Sequence, residues 1–310
     1  MKLRRQPFAF ARLGLGTAQF GGDYGITNRR GKVAPAEARR VLDLARAAGI
    51  RILDTAPAYG ESETALGSMA DVARDFRIVT KTLPVYAHEI GAEEESAVRM
   101  TLSRSRQRLR RDRLDGVLIH HGTALLRRGG RRILEAVQDA QARGEIDRLG
   151  VSVYDPPELE AVLRLFTPDI VQLPLNLLDQ RFALSGLLAQ LGSLGVEVHV
   201  RTVFLQGALL VSPDILPLSL ARVRPAIDMV GRFLSTHHLS PISACIGYVL
   251  SRPTVGCAIV GVTGADELSA IVEAISALPE TMPDFSSLAV ADPDVISPAR
   301  WRLQSDPHSL

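Results

Sequence analysis

Cysteines and long apolar runs are both scarce in this chain of 310 residues. Cys245 and Cys257 are its only cysteines, too few for a disulfide framework or a thiolate zinc site. No uncharged apolar run reaches the roughly 18 residues that a membrane-spanning helix needs. A chain of this length buries about three quarters of its unfolded surface, so its core needs no disulfide or metal. We therefore expect a globular cytoplasmic protein with no membrane partner.

An excess of charge of either sign is also missing. The 36 basic residues nearly balance the 34 acidic ones, for a formal net charge of +2, which argues against a nucleic-acid partner. Six arginines do lie from Arg104 to Arg113, at the end of a predicted helix. The same helix begins with glutamates at 93–95. Acidic residues early and basic residues late match the helix dipole, so this run is interpreted as a solvated helix face.

Lysine is rare although basic residues are not. Lys2, Lys32 and Lys81 are the only lysines among the 36 basic residues, and every other one is arginine. Arginine therefore serves wherever this chain needs only a positive charge. Lys81, which ends a predicted strand, points to a position where the ammonium group itself matters.

The amino terminus does not predict a signal peptide. It has a basic start and continues into apolar residues, MKLRRQPFAFARLGLG, but Arg12 interrupts the apolar stretch. Residues 13–16 are better interpreted as a first strand.

Eight short runs rich in Val, Ile and Leu predict eight strands, each followed by helical spacing of apolar residues. The predicted strands lie near 12–17, 50–54, 76–81, 115–120, 147–153, 169–173, 196–203 and 256–261. The predicted helices lie near 35–48, 61–73, 92–111, 130–143, 156–165, 184–193, 221–238 and 265–276. Eight such units without a linker favour a closed (β/α)8 TIM barrel over an open doubly wound sheet. We expect one domain over 1–310, with a long seventh loop at 204–220 and a C-terminal extension at 279–299.

Ionisable residues stand at the ends of three neighbouring predicted strands, where such a barrel carries its chemistry. Asp54 ends the second strand, Lys81 the third and His120 the fourth. Tyr59 follows in the loop after the second strand. One such residue alone could cap a helix or pair with a surface charge, but four at equivalent places indicate an active site.

Six segments of the chain, in order, resemble the aldo-keto reductase superfamily. They are GTAQFG at 16–21, DTAPAYGESETALG at 54–67, IVTKT at 78–82, LDGVLIHH at 114–121, RLGVSVY at 148–154 and VQLPLN at 171–176. The resemblance implies a (β/α)8 barrel that binds a nicotinamide cofactor without a Rossmann fold. It also implies reversible reduction of an aldehyde, ketone or sugar-like carbonyl by a tetrad of Asp54, Tyr59, Lys81 and His120.

The chemistry of carbonyl reduction explains these residue types. The substrate oxygen needs a proton, and a tyrosine hydroxyl with an ordinary pKa near 10 is a weak acid unless its anion is stabilised. The Lys81 ammonium beside Tyr59 would stabilise that anion, and Asp54 would keep the ammonium charged. His120 would orient the substrate oxygen, and no metal is needed. An aldolase Schiff base is the alternative role of Lys81, but it would not require Asp54 and Tyr59.

The resemblance also implies the cofactor contacts. They are Gly16, Thr17 and Asp54 near the first strands, Ser152 and Gln172 at the nicotinamide carboxamide, Val203, Phe204, Leu205, Gln206 and Gly207 along the pyrophosphate, and Gly261, Val262, Thr263 and Glu267 near the adenosine phosphate. The sequence departs from the family pattern in two places. Val153 replaces an amide residue, and RTVFLQG at 201–207 occurs where many relatives carry an aromatic stacking residue followed by Ser-Pro-Leu.

The cofactor is NADP or NAD. Relatives that prefer NADP usually carry a basic residue for the 2′-phosphate, but none occurs from Thr254 to Ala299. Asp266 and Glu267 would repel a phosphate and could accept a hydrogen bond from a ribose hydroxyl. Family habit favours NADP and local charge admits NAD, so both stay open.

Tyr24, His121 and Trp301 are candidate substrate contacts, with a small-molecule carbonyl or alcohol as the partner. His120 and His121 do not predict a metal site, because neighbouring residues on a strand point to opposite faces. A cluster of four arginines follows the fourth predicted strand: Arg127, Arg128, Arg131 and Arg132. One interpretation is that the cluster borders the barrel mouth and binds a phosphorylated sugar aldehyde. The other is that it is ordinary surface charge.

Two functions are compatible with this pattern. One is a carbonyl reductase that uses the tetrad. The other is a redox-sensing or regulatory barrel that binds the cofactor with little turnover. The intact tetrad favours the reductase.

Overall fold

Residues 10–301 are described by a computed structural model, and they form a closed barrel of eight parallel strands in chain order. The strands are β1 (Leu13–Gly16), β2 (Ile52–Asp54), β3 (Arg77–Lys81), β4 (Gly116–Ile119), β5 (Leu149–Ser152), β6 (Ile170–Pro174), β7 (Glu197–Arg201) and β8 (Val255–Gly261). The barrel closes where β8 pairs with β1, for example Gly261 with Gly16. The predicted (β/α)8 fold is confirmed.

Helices cover the outside of the barrel. The α-helices are Ala18–Gly21, Pro35–Ala47, Ser62–Ser68, Ala70–Ala73, Ala92–Leu109, Arg131–Ala142, Pro156–Leu163, Arg181–Leu184, Leu187–Ser193, Arg224–Thr236, Pro241–Leu250, Ala265–Ser276 and Pro293–Ile296. The 3-10 helices are Gly122–Leu126, Leu205–Leu210, Pro213–Ile215, Leu218–Leu220, Ser286–Leu288 and Pro298–Arg300. In residues 10–301, none of these helices has the length and apolar composition to cross a bilayer.

The strands are apolar on both faces, and this divides the core into two layers. Inside the barrel lies a cluster of Ile52, Val79, Leu118, Ile170, Cys257 and Ile259. Leu53, one position after Ile52, packs instead in the large layer between the strands and the helices. Because side chains alternate along a strand, a residue two positions after an inner one also faces the interior. This alternation positions the polar residues at the mouth.

One helix was not predicted. Pro241–Leu250 lies between the predicted seventh helix and β8, and its residues 244–250 are all buried. A helix buried on every side has no polar face, so its sequence lacks the amphipathic period that revealed the others. The predicted helix 61–73 is also divided, because Ser62–Ser68 and Ala70–Ala73 meet at Met69.

The seventh loop directly follows β7, and the C-terminal extension contacts the loop after β6. Residues 205–220 of the loop include three short 3-10 helices. The extension is attached to the loop after β6, since Val290 N donates to Leu178 O (2.9 Å) and Gln180 Nε2 donates to Phe285 O (2.7 Å).

Candidate active site

Four polar side chains lie at the mouth, three of them because of the strand alternation and His120 because it directly follows β4. The inner-cluster residues Ile52, Val79, Leu118 and Ile170 are followed two positions later by Asp54, Lys81, His120 and Gln172. An apolar barrel interior therefore ends in a group of polar residues at the carboxyl ends of its strands.

Lys81 and Asp54 form a buried ion pair. Lys81 Nζ donates to Asp54 Oδ1 (2.8 Å), Asp54 Oδ2 (2.9 Å) and Thr55 O (3.0 Å), which accounts for all three of its protons. Burial lowers the pKa of Lys81, and Asp54 opposes that change. Gln172 Nε2 also donates to Asp54 Oδ1 (2.7 Å). Removing either member of the pair would leave an uncompensated buried charge.

Tyr59 lies next to this ion pair, in the loop between β2 and the helix Ser62–Ser68. Its ring centroid is 4.8 Å from Lys81 Nζ and 6.3 Å from the centroid of the His120 ring, which it meets edge to face. Burial, and then the Asp54 charge, raise the pKa of Tyr59 well above its usual value, while Arg201 opposes the rise. The four predicted tetrad residues are therefore neighbours, and the phenol is protonated at neutral pH.

His120 and His121 lie side by side, which corrects the expectation that they face opposite ways. β4 ends at Ile119, so strand alternation does not continue through the pair, and their ring centroids are 5.0 Å apart. Burial, and then the Lys81 charge, lower the pKa of His120 to about 2. Burial, followed by the charge of Arg201, lowers the pKa of His121. Within residues 10–301, no group of three His, Cys, Asp or Glu side chains could hold a metal ion.

A close backbone approach holds the Tyr59 loop. Glu61 N donates to Gly21 O (3.3 Å), and a Cβ atom at Gly21 would collide with the Tyr59 carbonyl oxygen. Thr17 Oγ1 lies 2.9 Å from Asp54 O and 2.8 Å from Ser62 Oγ. Thr17, a predicted cofactor contact, therefore also joins β1 to the end of β2.

The predicted cofactor residues lie at or after the carboxyl ends of six strands, β1, β2 and β5 to β8. Ser152 pairs with Gln172 across β5 and β6, and Gly16 pairs with Gly261 across β1 and β8. The segment 203–207 follows β7, between these two pairs in the barrel. The side chains of Val203, Phe204 and Leu205 are buried in the core.

The loop after β7 has an unusual backbone. Thr202, Leu205 and Gln206 have φ values of 60°, 50° and 53°, and Gly207 has a φ of 90°. Left-handed conformations are costly for residues other than glycine, and for branched threonine above all. Asn176 Nδ2 supports the loop by donating to Thr202 O (3.1 Å). Such strain is concentrated at ligand-binding sites, and here it falls on the predicted pyrophosphate segment.

The helix Ala265–Ser276 begins among acidic side chains. Thr263 donates to Glu267 through its backbone N and its Oγ1, both at 2.7 Å. Arg30 donates to both carboxylate oxygens of Asp266 (2.8 and 2.7 Å) and lowers the pKa of Asp266 to about 2. Sequence reasoning missed Arg30 because 236 positions separate it from Asp266. It brings a guanidinium to a segment that has no basic residue of its own.

Two of the three candidate substrate residues lie beside a cavity at the mouth. The cavity is about 120 Å³ and is lined by Tyr24, Tyr154, Arg201 and residues 296–299, among others. His121 stacks on Tyr154, with ring centroids 5.4 Å apart. Trp301 packs within the extension, where its Nε1 donates to Asp294 O (3.0 Å).

The four arginines of the cluster after β4 lie in two different environments. Arg128, Arg131 and Arg132 form surface ion pairs with Glu89, Glu135 and Glu95. Arg127 alone turns inward, where its Nη1 donates to Val85 O (3.1 Å) and Ala87 O (2.7 Å). Three of the four are thus ordinary surface charge, of little energetic weight.

Three buried polar side-chain atoms near this mouth have no hydrogen-bond partner among residues 10–301. They are Gln19 Oε1, His120 Nδ1 and Arg201 Nε. Gln19 adjoins the β1–β8 pair, since a Cβ atom at Gly261 would come within 2.6 Å of its Nε2. Unsatisfied buried groups in one place indicate a polar ligand. These residues fit a nicotinamide cofactor, whose amide and phosphates can bond with them.

A closed (β/α)8 barrel with a tyrosine, a histidine and a buried lysine–aspartate pair at its mouth has the architecture of a barrel oxidoreductase. The chain belongs to the Aldo/keto reductase family, which it matches over residues 12–289.

Known relatives agree with this assignment. The chain is 34% identical over 161 residues to an aldo-keto reductase of Mycobacterium sp. (strain MCS), covering 48% of this chain and 53% of the relative. The match thus spans about half the length of that curated relative. Solved structures with the same fold include aldo-keto reductase AKR11C1 from Bacillus halodurans in its holo form (22% identity, TM-score 0.72, 93% of this chain and 95% of that chain). Another is the glycerol dehydrogenase AKR11B4 from Gluconobacter oxydans (20% identity, TM-score 0.65, 89% of each chain).

Proposed function

We propose that this protein reversibly reduces an aldehyde, ketone or sugar-like carbonyl to an alcohol with NAD(P)H. The main support is the buried Lys81–Asp54 pair next to the Tyr59 ring. Carbonyl reduction needs a positioned proton donor, and a buried phenol beside a buried ammonium is such a donor. When bound, the nicotinamide supplies the hydride.

Tyr59 donates the proton to the substrate oxygen in this mechanism. Its raised pKa keeps the hydroxyl protonated before the reaction. As the proton leaves, negative charge develops on the phenolate, and the nearby Lys81 ammonium stabilises it. Asp54 holds the ammonium in place through both of its carboxylate oxygens.

His120 orients the carbonyl. Its pKa of about 2 makes the imidazole neutral, and its Nδ1 is buried without a partner. A neutral imidazole can form a hydrogen bond with the substrate oxygen without competing with Tyr59 as the acid.

The same geometry argues against a Schiff-base lysine. A Schiff base requires a neutral amine with a free lone pair. The Lys81 N–H groups are all directed to Asp54 and Thr55. Forming the imine would break the ion pair and leave Asp54 buried without its cation.

Of the two cofactors, charge favours NADH. Glu267 and Asp266 stand at the start of the helix Ala265–Ser276, and Arg30 is already paired with Asp266. A 2′-phosphate would have to displace Asp266 from Arg30, whereas a ribose hydroxyl can donate to a carboxylate. We expect NADH to bind at least as tightly as NADPH.

Tyr59→Phe tests the proposed function. Loss of the hydroxyl should lower kcat/KM over a panel of aldehydes and aldoses by about 100- to 10,000-fold. The Kd of NADH and NADPH, measured by cofactor fluorescence, should change little. Tyr248→Phe is the matched control, because Tyr248 is a buried tyrosine in the helix Pro241–Leu250.

Unchanged turnover in Tyr59→Phe would contradict the mechanism. Tight cofactor binding by the wild type without hydride transfer to any member of the panel would instead favour a regulatory barrel.

A further inference from the structure

Arg201 places a cation at the mouth without a carboxylate partner. It follows the buried His199 by two positions on β7, and His199 is in register with Cys257 of the inner cluster. Alternation therefore directs Arg201 to the interior side of the mouth. Its Nη2 donates to Val153 O (3.0 Å), while its Nε is buried with no partner. Arg201 takes part in none of the ion pairs formed among residues 10–301.

The acidic side chains nearby are already satisfied by other groups. Asp54 is paired with Lys81, Asp179 accepts two 2.8 Å hydrogen bonds from Arg181, and Glu158 accepts from two backbone N–H groups. The charge of Arg201 is therefore left uncompensated. Burying part of a guanidinium in this way is unfavourable unless an anion joins it.

A continuous stack of rings joins Arg201 to the tetrad. The Arg201 guanidinium carbon lies 4.2 Å from the centroid of the Tyr154 ring. Tyr154 stacks on His121 at 5.4 Å, and His121 lies 5.0 Å from His120. The Arg201 charge also opposes the rise that burial causes in the pKa of Tyr59, so a ligand bound at Arg201 would lie on the same side of the mouth as the tetrad.

The cavity beside Arg201 has room for a small acidic group. Its volume of about 120 Å³ is equivalent to about four water molecules. Tyr24 forms part of the wall, and its hydroxyl accepts from Gln206 Nε2 (3.3 Å), which leaves its own proton free to donate. A tyrosine hydroxyl has an ordinary pKa near 10, so this proton is present at neutral pH. Residues 296–299 of the extension complete the cavity wall.

We propose that Arg201 and Tyr24 bind an acidic group of the substrate, a carboxylate or a phosphate, so that the protein reduces oxo acids or phosphorylated aldehydes in preference to neutral carbonyls. The inference rests on the proposed carbonyl reduction. Arginine suits this role, because its planar fork matches the paired oxygens of a carboxylate or phosphate.

The cofactor is a second source of phosphate near Arg201. The predicted pyrophosphate segment, 203–207, begins two positions after it. A residue that binds the cofactor would affect every substrate and the cofactor Kd. A residue that binds the substrate would affect only the acidic ones.

The test compares Arg201→Gln with the wild type on two matched pairs of substrates. Succinic semialdehyde is paired with butyraldehyde, and glyceraldehyde 3-phosphate with glyceraldehyde. The wild type should prefer the acidic member of at least one pair by about 10-fold or more. Arg201→Gln should lose about 10- to 100-fold in kcat/KM for that acidic member and less than about 3-fold for its neutral match. The pair that responds identifies carboxylate or phosphate.

Two further variants make the result specific. Arg128→Gln removes an exposed arginine after β4 and should change neither ratio. Arg201→Lys should recover part of the preference for the acidic substrate, because lysine keeps the positive charge but lacks the paired N–H donors of the guanidinium. The retained kcat/KM of Arg201→Gln for the neutral substrate shows that this variant is folded.

Binding of unreactive anions separates this inference from the proposed function. Succinate and inorganic phosphate, added to the wild-type complex with NADH, should perturb cofactor fluorescence, and Arg201→Gln should weaken that binding. An equal loss for acidic and neutral substrates together with a weaker cofactor Kd would overturn the inference. So would the absence of both anion binding and acidic preference in a wild type that reduces butyraldehyde. A wild type that binds succinate through Arg201 but reduces no carbonyl would overturn the proposed function instead.

Discussion

Lys81 is the site residue for which the ammonium group itself, and not only its positive charge, is required. Its three protons are directed to both oxygens of Asp54 and to Thr55 O. The planar guanidinium of arginine cannot arrange its donors around one point in this way. This explains why a chain with only three lysines has one at this position.

The neutral state of His120 makes a prediction about acid stability. Burial, and then the Lys81 charge, lower its pKa to about 2 in the folded protein, against an ordinary value of 6.5. Between these values the unfolded chain binds a proton that the folded chain does not, so this contribution to stability is complete above about pH 6.5 and is lost as the pH falls. Urea unfolding at about pH 7.5 and about pH 5 should show a fall in the free energy of unfolding.

His120→Asn isolates that contribution. Asparagine does not titrate, so the fall in stability between the two pH values should be smaller in the variant by on the order of 1 kcal/mol. Equal losses in both proteins would mean that His120 is protonated in the folded state.

The loop after β2 decides where the proton donor lies. Tyr59 is not on a strand, and its position depends on contact with the short helix Ala18–Gly21 after β1. We predict that Gly21→Ala displaces Tyr59, because the added Cβ would collide with the Tyr59 carbonyl oxygen. A shift of about 1 Å can cost about 100-fold in kcat. Steady-state kinetics and cofactor titration should show a large loss of kcat and a small change in cofactor Kd.

Gly22→Ala is the matched control, since a Cβ at Gly22 meets nothing within 4 Å and the backbone is extended. If Gly21→Ala kept the wild-type kcat, the prediction would be wrong, and the loop would accommodate the added Cβ without displacing Tyr59.

Strands were easier to predict than helices for a physical reason. Most strand residues are buried on both faces, so each strand appears in the sequence as a short run rich in Val, Ile and Leu. The helix Pro241–Leu250 is equally buried. Its sequence therefore lacks the alternation of apolar and polar residues at helical spacing that indicates an amphipathic helix. The division of the predicted helix at Met69 also escaped, because both halves keep apolar residues toward the core.

Closure of the barrel brings β1 and β8 together, and this affects the cofactor. Arg30 and Asp266 meet only because β1 and β8 are neighbours. We predict that Asp266→Asn frees Arg30 for a 2′-phosphate and raises the affinity for NADPH relative to NADH by about 10-fold. Fluorescence titration with both cofactors measures that ratio.

Asp71→Asn is the control, because Asp71 is another exposed aspartate paired with an arginine, Arg39. Adding Arg30→Gln to Asp266→Asn should abolish the gain. If the double variant kept it, Arg30 would not be the phosphate ligand.

Local sequence was enough for the eight strands and for the places of Asp54, Lys81 and His120 at their ends. Hydrophobic burial and strand alternation act over a few residues, so the chain records them directly. No local sequence pattern indicates three other features of the site. They are the hydrogen bond from Gln172 to Asp54, the ion pair of Arg30 with Asp266 and the unpaired charge of Arg201. Electrostatic partners are set by distance in space, and residues far apart in the chain meet only after the barrel has closed.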